Sequence, residues 1–394
     1  MLKRLILLFN KKMRFRSLIL VFICSLISYT NGSGQNYDFP LDIRSCKSLA
    51  TNDTVTLTFI GDVMLHGRQL KHALKEASNS NSPESYNFEN AFKYVAEEIR
   101  QADVAVANME FPIGVAPYSG YPLFSAPESI IWYAKKYGFN LFLLANNHIM
   151  DQGKKGFLST IEAYKRNNAD YVGAYINKED YQNEYPKIIR IRDLKIAFLN
   201  FTYGTNGIPV PGDCYVNRID TLQIKESIAK AKDKGAEIII ALPHWGEEYQ
   251  QKANNRQEEL ANFMIKNGVD IIIGSHPHVT QNGYITNKNV VFYSLGNYIS
   301  NQSVPPQTQL GLMVKIKIAK DLINKESYIT EVQHEYLWCF RSGEFNKDYT
   351  VVKINDIINC RIPGLDSVKR KKAIDTFNMT NDKKPIKNYT LNIN

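Results

Sequence analysis

Cysteine and tryptophan are scarce in this chain of 394 residues, with five of the first and three of the second. No cysteine spacing matches a zinc motif, and none sits in a pattern that would mark a thiol nucleophile. Cys46, Cys214, Cys339 and Cys360 follow the N-terminal segment, an even number that leaves free buried thiols or one or two disulfides open in an oxidising compartment. Long apolar runs are equally rare, and beyond residue 32 none is long enough to span a bilayer. No internal repeat is present. Excess charge is also missing from most of the chain. The formal net charge is +9, but Lys3, Arg4, Lys11, Lys12, Arg14 and Arg16 supply six of those charges with no acid among them, which leaves +3 for the remainder. Without a basic patch or an aromatic ladder, a nucleic-acid partner is not expected.

What is present is the balance of an ordinary folded protein, 44% apolar and 22% charged, long enough for one large domain or two small ones. The basic start runs into Leu18–Leu26, and Asn31-Gly32-Ser33-Gly34 follows. Basic, apolar, then small and polar is the order of a secretory signal peptide, with Met13 an alternative start, so residues 1–32 predict export to the periplasm or cell envelope. Cys24 is a candidate lipid site, although Phe22-Ile23 lacks the small residue that usually precedes one. Membrane association is expected only through this segment.

Residues 33–54 read as an irregular lead-in. The hydrophobic pattern then predicts an α/β chain, with strands at Val55–Asp62, Asp103–Asn108 and Leu141–Ala145 alternating with helices at 88–101, 130–137 and 155–167. The theme repeats with strands at 195–200, 237–242 and 270–273 around helices at 221–234 and 257–267, which implies a largely parallel sheet. After His278 come strands at 290–293, 310–318 and 328–336, read as antiparallel additions, with Gly296-Asn297-Tyr298 as a polar turn between them. The assigned domain covers 55–337, followed by a C-terminal extension over 338–394.

Five of the seven histidines fall in Gly/Asn/Asp/Pro-rich clusters directly after these apolar runs: His66, His148, His244, His276 and His278. Asp62, Glu110 and Asn147 occupy the same kind of place. Strand ends that each deliver an oxygen or imidazole are how an α/β fold assembles a metal centre. His276 and His278, two apart on an extended segment, would project to one side. His72 and His334 lie outside such clusters and read as structural. Around the clusters, Arg68, Tyr118, Tyr121 and Trp245 are candidates for contacting a substrate. Asp151 and the pair Glu247-Glu248 are placed to orient histidines.

Gly61-Asp62-Val63-Met64-Leu65-His66, Asn108-Met109-Glu110, Phe124-Ser125-Ala126-Pro127, Ala145-Asn146-Asn147-His148 with Asp151-Gln152-Gly153, Pro243-His244-Trp245-Gly246, Gly274-Ser275-His276-Pro277-His278 and Ser294-Leu295-Gly296-Asn297 resemble, in order, the blocks of the CapA family. That family is linked to capsule and poly-γ-glutamate biosynthesis and related to the calcineurin-like metallophosphoesterases. The resemblance implies a layered β-sheet sandwich flanked by helices, with a site for one or two metal ions. It implies Asp62 and His278 on a first metal, Asn147, His244 and His276 on a second, Glu110 as the bridging carboxylate and His148 as the acid for the leaving oxygen. Imidazole, amide oxygen and carboxylate together suit Mn, Fe or Zn.

The pattern departs from the phosphatases in two blocks. Met64 stands where they carry a histidine, leaving His66 as the nearest candidate ligand, and Asn108-Met109-Glu110 replaces a Gly-Asp pair. Two functions therefore follow. One is an exported metal-dependent hydrolase acting on a phosphoester or on an anionic envelope polymer, with Arg68, Trp245 and Asn297 bordering the substrate. The other is a non-catalytic binding or export component that uses a degenerate metal site.

Overall fold

The computed structural model describes residues 54–286, 288–321 and 325–381 together with the backbone of Tyr389–Thr390. The expectations for the signal segment, for most of the lead-in and for Cys24 and Cys46 lie outside the described residues. The first half runs β1 (Val55–Val63), α1 (Gly67–Ala73), β2 (Val104–Met109), α2 (Ser129–Lys136), β3 (Leu141–Leu143), α3 (Gly153–Arg166) and β4 (Asp170–Val172). Next come β5 (Ala174–Tyr175), β6 (Lys187–Ile191), β7 (Leu194–Thr202), β8 (Tyr215–Val216), α4 (Thr221–Asp233), β9 (Ile238–His244), α5 (Asn255–Asn267) and β10 (Ile271–Ile273). The last part holds β11 (Gly283–Ile285), β12 (Val290–Phe292), β13 (Asn297–Ile299), β14 (Leu310–Lys320), β15 (Ser327–Phe340), β16 (Thr350–Lys353), α6 (Ser367–Asn381) and β17 (Tyr389–Thr390).

Local chemistry explains where these elements begin and end. Asp220 caps α4 by accepting from the Gln223 backbone N–H, and Asn254 with Gln257 forms a reciprocal capping box at the start of α5. Gly268, at φ 107°, stops α5 in the left-handed region.

Two mixed sheets face each other, the layered sandwich that the resemblance implied, where the strand order alone read as one largely parallel sheet. One is ordered β16-β15-β14-β1-β2-β3-β4, the other β11-β12-β10-β9-β7-β6. Within the first, β1 to β4 are parallel while β14 runs antiparallel to β1. Within the second, β7, β9, β10 and β12 are parallel, and β6 and β11 are antiparallel edges. The second sheet starts afresh because β6 and β7 form a tight hairpin across Arg192-Asp193, so β7 never needs to lie beside β4. Hydrophobic pattern reports burial, not neighbours.

Side-chain alternation settles the layers. Val104 and Val106 of β2 join Phe59, Phe198, Ile240 and Ile271 in the core between the sheets. Ala105, Ala107 and Met109 point the other way, into a second core with Ile131 of α2 and Phe157 of α3. On the far side Ile224 and Ile228 of α4 and Leu260 and Met264 of α5 cover the second sheet. The layering is helix, sheet, sheet, helix, an α/β sandwich. The boundary expected at residue 337 falls inside β15, and β16 pairs with that strand at Leu337–Phe340. Residues 338–353 therefore complete the sheet, because the inner half of β15 is buried through Phe340.

Cys214 and Cys339 are buried free thiols and Cys360 is an exposed one. Among the described residues no helix is long and apolar enough to cross a membrane.

Asp270, at the entry to β10, accepts from the Ile239 N–H at 2.8 Å, yet burial pushes its carboxyl up from 3.8 to about 6. A raised folded pKa favours the folded protein only where the group is protonated. That contribution is complete below 3.8 and lost as pH rises through about 6. Asp270→Asn keeps an acceptor for Ile239 and is expected to raise the melting temperature at pH 8, by at most about 3 kcal/mol of stability. Its advantage should vanish by pH 4. Calorimetry showing a destabilised variant at pH 8 would refute this.

Candidate metal centre

The loops after β1, β2, β3, β9 and β10 meet at one end of the sandwich. A Cβ added at Gly61 would stand 1.8 Å from the Gly296 carbonyl oxygen, so only glycine permits this approach. The approach lets the Asp62 N–H donate to Gly296 O at 2.9 Å and seats the Asp62 carboxylate. His276 and His278 converge by a different route from the extended one expected. Their φ values of 98° and 59° are left-handed, and Pro277 lies between them. A bend of this kind, costly for residues with a Cβ, brings the two ring centroids to 5.9 Å.

Glu110 has no exposed surface, and neither of its carboxylate oxygens has a hydrogen-bond partner. Its Oε1 lies 3.5 Å from His244 Nε2 and 3.9 Å from His278 Nε2. Asp62 Oδ1 accepts from Asn108 Nδ2 at 2.8 Å, while Oδ2 accepts the His276 N–H at 3.2 Å and stands 3.3 Å from His278 Nδ1. Two overlapping sets have ligand atoms within 4.8 Å of one another: Asp62, Glu110 and His244, and Glu110, His276 and His278. Glu110 is common to both. The pairs that the resemblance implied are also near one another, Asp62 Oδ2 at 3.3 Å from His278 Nδ1 and the His244 and His276 rings at 4.9 Å.

These residues fit a cation. A buried carboxylate with two empty acceptors costs several kcal/mol unless a positive charge faces it, and His276 Nδ1 is likewise buried without a partner. Burial works against ionisation of Asp62, but the hydrogen bond and charge of His278, with His244 and Asn108, hold its carboxyl below the usual range. Burial and the neighbouring histidines keep the His276 imidazole well below its ordinary value, hence neutral and a good donor. Burial also disfavours protonated His278, yet Glu110 and Asp62 outweigh it and lift the ring to about 9. The two carboxylates thus favour a positive charge beside them, the demand that an ion would meet.

The surrounding polar groups fix ring orientation. His244 Nδ1 lies 2.9 Å from Ser275 Oγ, and its Nε2 is 2.8 Å from Asn147 Oδ1. His148 Nδ1 is 2.8 Å from Asp151 Oδ2, which also accepts from the Phe124 N–H at 2.9 Å. That leaves Nε2 as the working nitrogen of His148. Asn206, at φ 49°, accepts from Asn147 Nδ2 through its Oδ1 at 3.2 Å and brings its Nδ2 to 3.4 Å from His148 Nδ1. Asn200 ties two strand ends together, accepting from the Ala145 N–H and donating to Leu242 O, both at 2.7 Å.

Several expected residues lie elsewhere. His66 belongs to neither ligand set, because its Nδ1 is 3.1 Å from Gln69 Oε1 in the cap of α1 and burial brings the ring down to about 4. Trp245 is 2% exposed and donates to Tyr293 O at 2.9 Å, so it packs beneath the site and does not border a substrate. Asn297 is buried within strand β13, not a turn, and its Oδ1 is 3.1 Å from His278 Nδ1, so it positions a histidine. Arg68 is exposed on α1, where its charge acts on Tyr349, and Tyr118 packs edge-on against Tyr86. Glu248 lies 4.0 Å from His278 Nε2. Asn108, Asn200, Tyr203, Asn206, Tyr249 and Ser275 were not singled out as site residues. Only Asn108, Asn200 and Ser275 carried a signal, a polar residue at the end of an apolar run.

The model of the family described as bacterial capsule synthesis protein PGA_cap matches residues 56–302. The chain belongs to that family. Every ligand candidate named above lies inside the matched segment. The chain is 34% identical over 263 residues to the capsule biosynthesis protein CapA of Bacillus anthracis, covering 64% of this chain and 61% of that protein. It is 30% identical over 267 residues to the PGA biosynthesis protein CapA of Bacillus subtilis (strain 168), covering 64% of this chain and 65% of that one. The match thus spans a little under two thirds of either relative's length. In outline the fold is similar to Haemophilus influenzae NAD nucleotidase, with a TM-score of 0.47 at 14% identity over 83% of this chain and 63% of that one. It is also similar to the calcineurin-like phosphoesterase YfkN from Bacillus subtilis, at 0.43 and 14% over 84% and 99%.

Glu110→Gln removes a buried charge that only a cation satisfies. With chelator present, the variant is expected to melt at or above the wild-type temperature. Adding Mn²⁺ at about 100-fold above its Kd should stabilise the wild type by about 2.7 kcal/mol and leave the variant unmoved. A variant that is weaker without metal yet still gains stability with Mn²⁺ would contradict the assignment.

Proposed function

We propose that this capsule-synthesis family member is an exported hydrolase that uses one or two divalent ions to cleave a phosphoester in an anionic capsule-type polymer of the cell envelope. The observation that carries this reading is the unpartnered, fully buried Glu110 carboxylate shared by two overlapping ligand sets. Asp62, Glu110 and His244 would hold one ion, and Glu110, His276 and His278 another, with Asn147 Oδ1 within reach of the His244 side. When bound, Mn, Fe or Zn would supply Lewis acidity, neutralising phosphoryl charge and making a water acidic near neutral pH.

The rest of the chemistry falls to the chain. As the imidazolium, with its Nδ1–H held by Asp151, His148 would hand its Nε2 proton to the leaving oxygen and keep the Nδ1 proton. Asn108 holds the Asp62 carboxylate, and Ser275 and Asn297 hold the His244 and His278 rings. Export rests on the basic, apolar and small-residue order of residues 1–32, which also provides for membrane association. The envelope polymer rests on the names of the two relatives, one a capsule and one a PGA biosynthesis protein.

A second reading is favoured by one observation. Met64 is buried where the phosphatases carry a ligand, and His66 is turned to Gln69. A protein with this reduced set would bind or export polymer around a structural ion without turnover.

Elemental analysis of the mature protein, beside a His276→Ala/His278→Ala variant, separates the two when paired with assays on aryl phosphomonoesters and phosphodiesters. The hydrolase reading expects one or two transition-metal ions per chain, lost in the variant together with at least about 10²-fold of activity. Wild-type protein that binds Mn or Zn, stays folded and turns over nothing would favour the binding role. For His148→Gln the expected loss is about 10²- to 10⁴-fold on an alkyl ester. It should be much smaller on a nitrophenyl ester, whose leaving group needs no proton. Equal losses on both esters would remove His148 from the acid role.

A further inference from the structure

Three tyrosines stand exposed at the mouth of the centre: Tyr121 at 72%, Tyr203 at 44% and Tyr249 at 39%. Two lie beside a histidine of the site, and the third is one ring removed from His148. The Tyr203 ring is 4.6 Å from His276, and Tyr249 is 6.1 Å from His278. Tyr121 packs at 6.4 Å on Phe124, which meets His148 edge-on at 4.7 Å. Tyr249 occupies its place at a backbone cost, since its φ of 64° is left-handed and its N–H is tied to Pro277 O at 2.8 Å. A structure that strains its backbone to keep an aromatic ring in water beside a ligand histidine has reason to want that ring there.

A carboxylate and hydroxyls are among the polar groups at the mouth. Glu248 lies 4.0 Å from His278 Nε2 with its side chain 44% exposed. The Tyr249 hydroxyl accepts from Gln302 Nε2 at 3.2 Å. Burial raises the Tyr203 and Tyr249 phenols to about 12, and the nearby carboxylates Glu110 and Glu248 push the same way. Beyond Tyr121 the surface continues into a groove of about 620 Å³ whose walls include Val115, Pro117, Leu123 and Lys155.

We propose that the mouth is a subsite for sugar rings, so that the ester offered to the centre is a sugar phosphate within a glycan chain, and that the chain continues over Tyr121 into the groove. The proposal rests on the phosphoesterase reading and narrows its substrate. A pyranose presents a C–H face that packs on an aromatic ring, while its hydroxyls donate to Glu248. A polyglutamate strand has no such face to lay on the rings. A mononucleotide would stack but leave the groove unused.

The test uses the metal-loaded mature protein. Affinities for glucose 1-phosphate, a phosphorylated hexose oligomer, glycerol 1-phosphate, AMP and a γ-linked glutamate hexamer are measured by calorimetry, with phosphate release followed in parallel. The expected order puts the hexose oligomer first and the glutamate hexamer last. Tyr203→Ala and Tyr121→Ala should each reduce the ratio of hexose-oligomer to glycerol-phosphate affinity by about three- to tenfold, whereas Tyr203→Phe, which keeps the ring, should retain it. Equal affinities for hexose and glycerol phosphates, a preference for AMP or glutamate hexamer, or a Tyr203→Phe variant as deficient as Tyr203→Ala would overturn the subsite. Hexose binding without phosphate release would instead overturn the hydrolase reading and leave the subsite standing.

Discussion

A carboxylate removed from water with both oxygens unpaired is the constraint around which this end of the molecule is arranged. Glu110 follows a strand buried on both faces, with no donor in hydrogen-bonding geometry to it. Left alone it would be a large unfavourable term in folding. Glu110 and Asp62 favour a proton on His278, which would partly answer it. A bound cation and a proton on His278 are therefore alternatives for the same electrostatic demand, and the affinity of the site for a cation is expected to fall as the medium becomes acidic.

The sandwich exists to bring strand ends from two sheets to that carboxylate. Asp62 and Glu110 come from the first sheet, His244 and the His276–His278 bend from the second. The Gly61–Gly296 approach and the Asn200 side chain lock the edges together at the level of the ligands. Packing between the sheets, with Phe59, Val106, Phe198 and Ile240 fully buried, gives the rigid base on which sub-ångström positioning depends. Function is concentrated in the loops, where left-handed residues such as His276, His278, Tyr249 and Asn206 collect.

The clusters that end apolar runs in Gly, Asn or Pro made the location of the centre legible, because a buried strand that stops in polar residues has few other uses for histidine. Partners were not legible. The alternation in β2 says that both faces are covered but not by what, so the division into two sheets was carried by the family resemblance and not by the hydrophobic pattern. Trp245 misled because Pro-His-Trp-Gly reads as an exposed loop. In fact Gly246, at φ 92°, turns the chain and the indole is drawn under the site to Tyr293 O. The spacing of His276 and His278 suggested a strand, whereas a bend between them achieves the convergence. Tyr203 and Tyr249 were invisible for a related reason. Exposure beside a histidine is set by loop geometry, and tyrosine is common enough in this chain, at 23 residues, that composition singles out none of them.

The central claim is that Glu110 is a ligand shared between cation positions. Anomalous X-ray scattering from crystals grown with Mn²⁺ tests it most directly. The account predicts one or two anomalous peaks within bonding distance of a Glu110 oxygen, flanked by Asp62, His244, His276 and His278. Crystals that diffract well in saturating Mn²⁺ and show no peak there, with the Glu110–His278 pair unchanged, would contradict it.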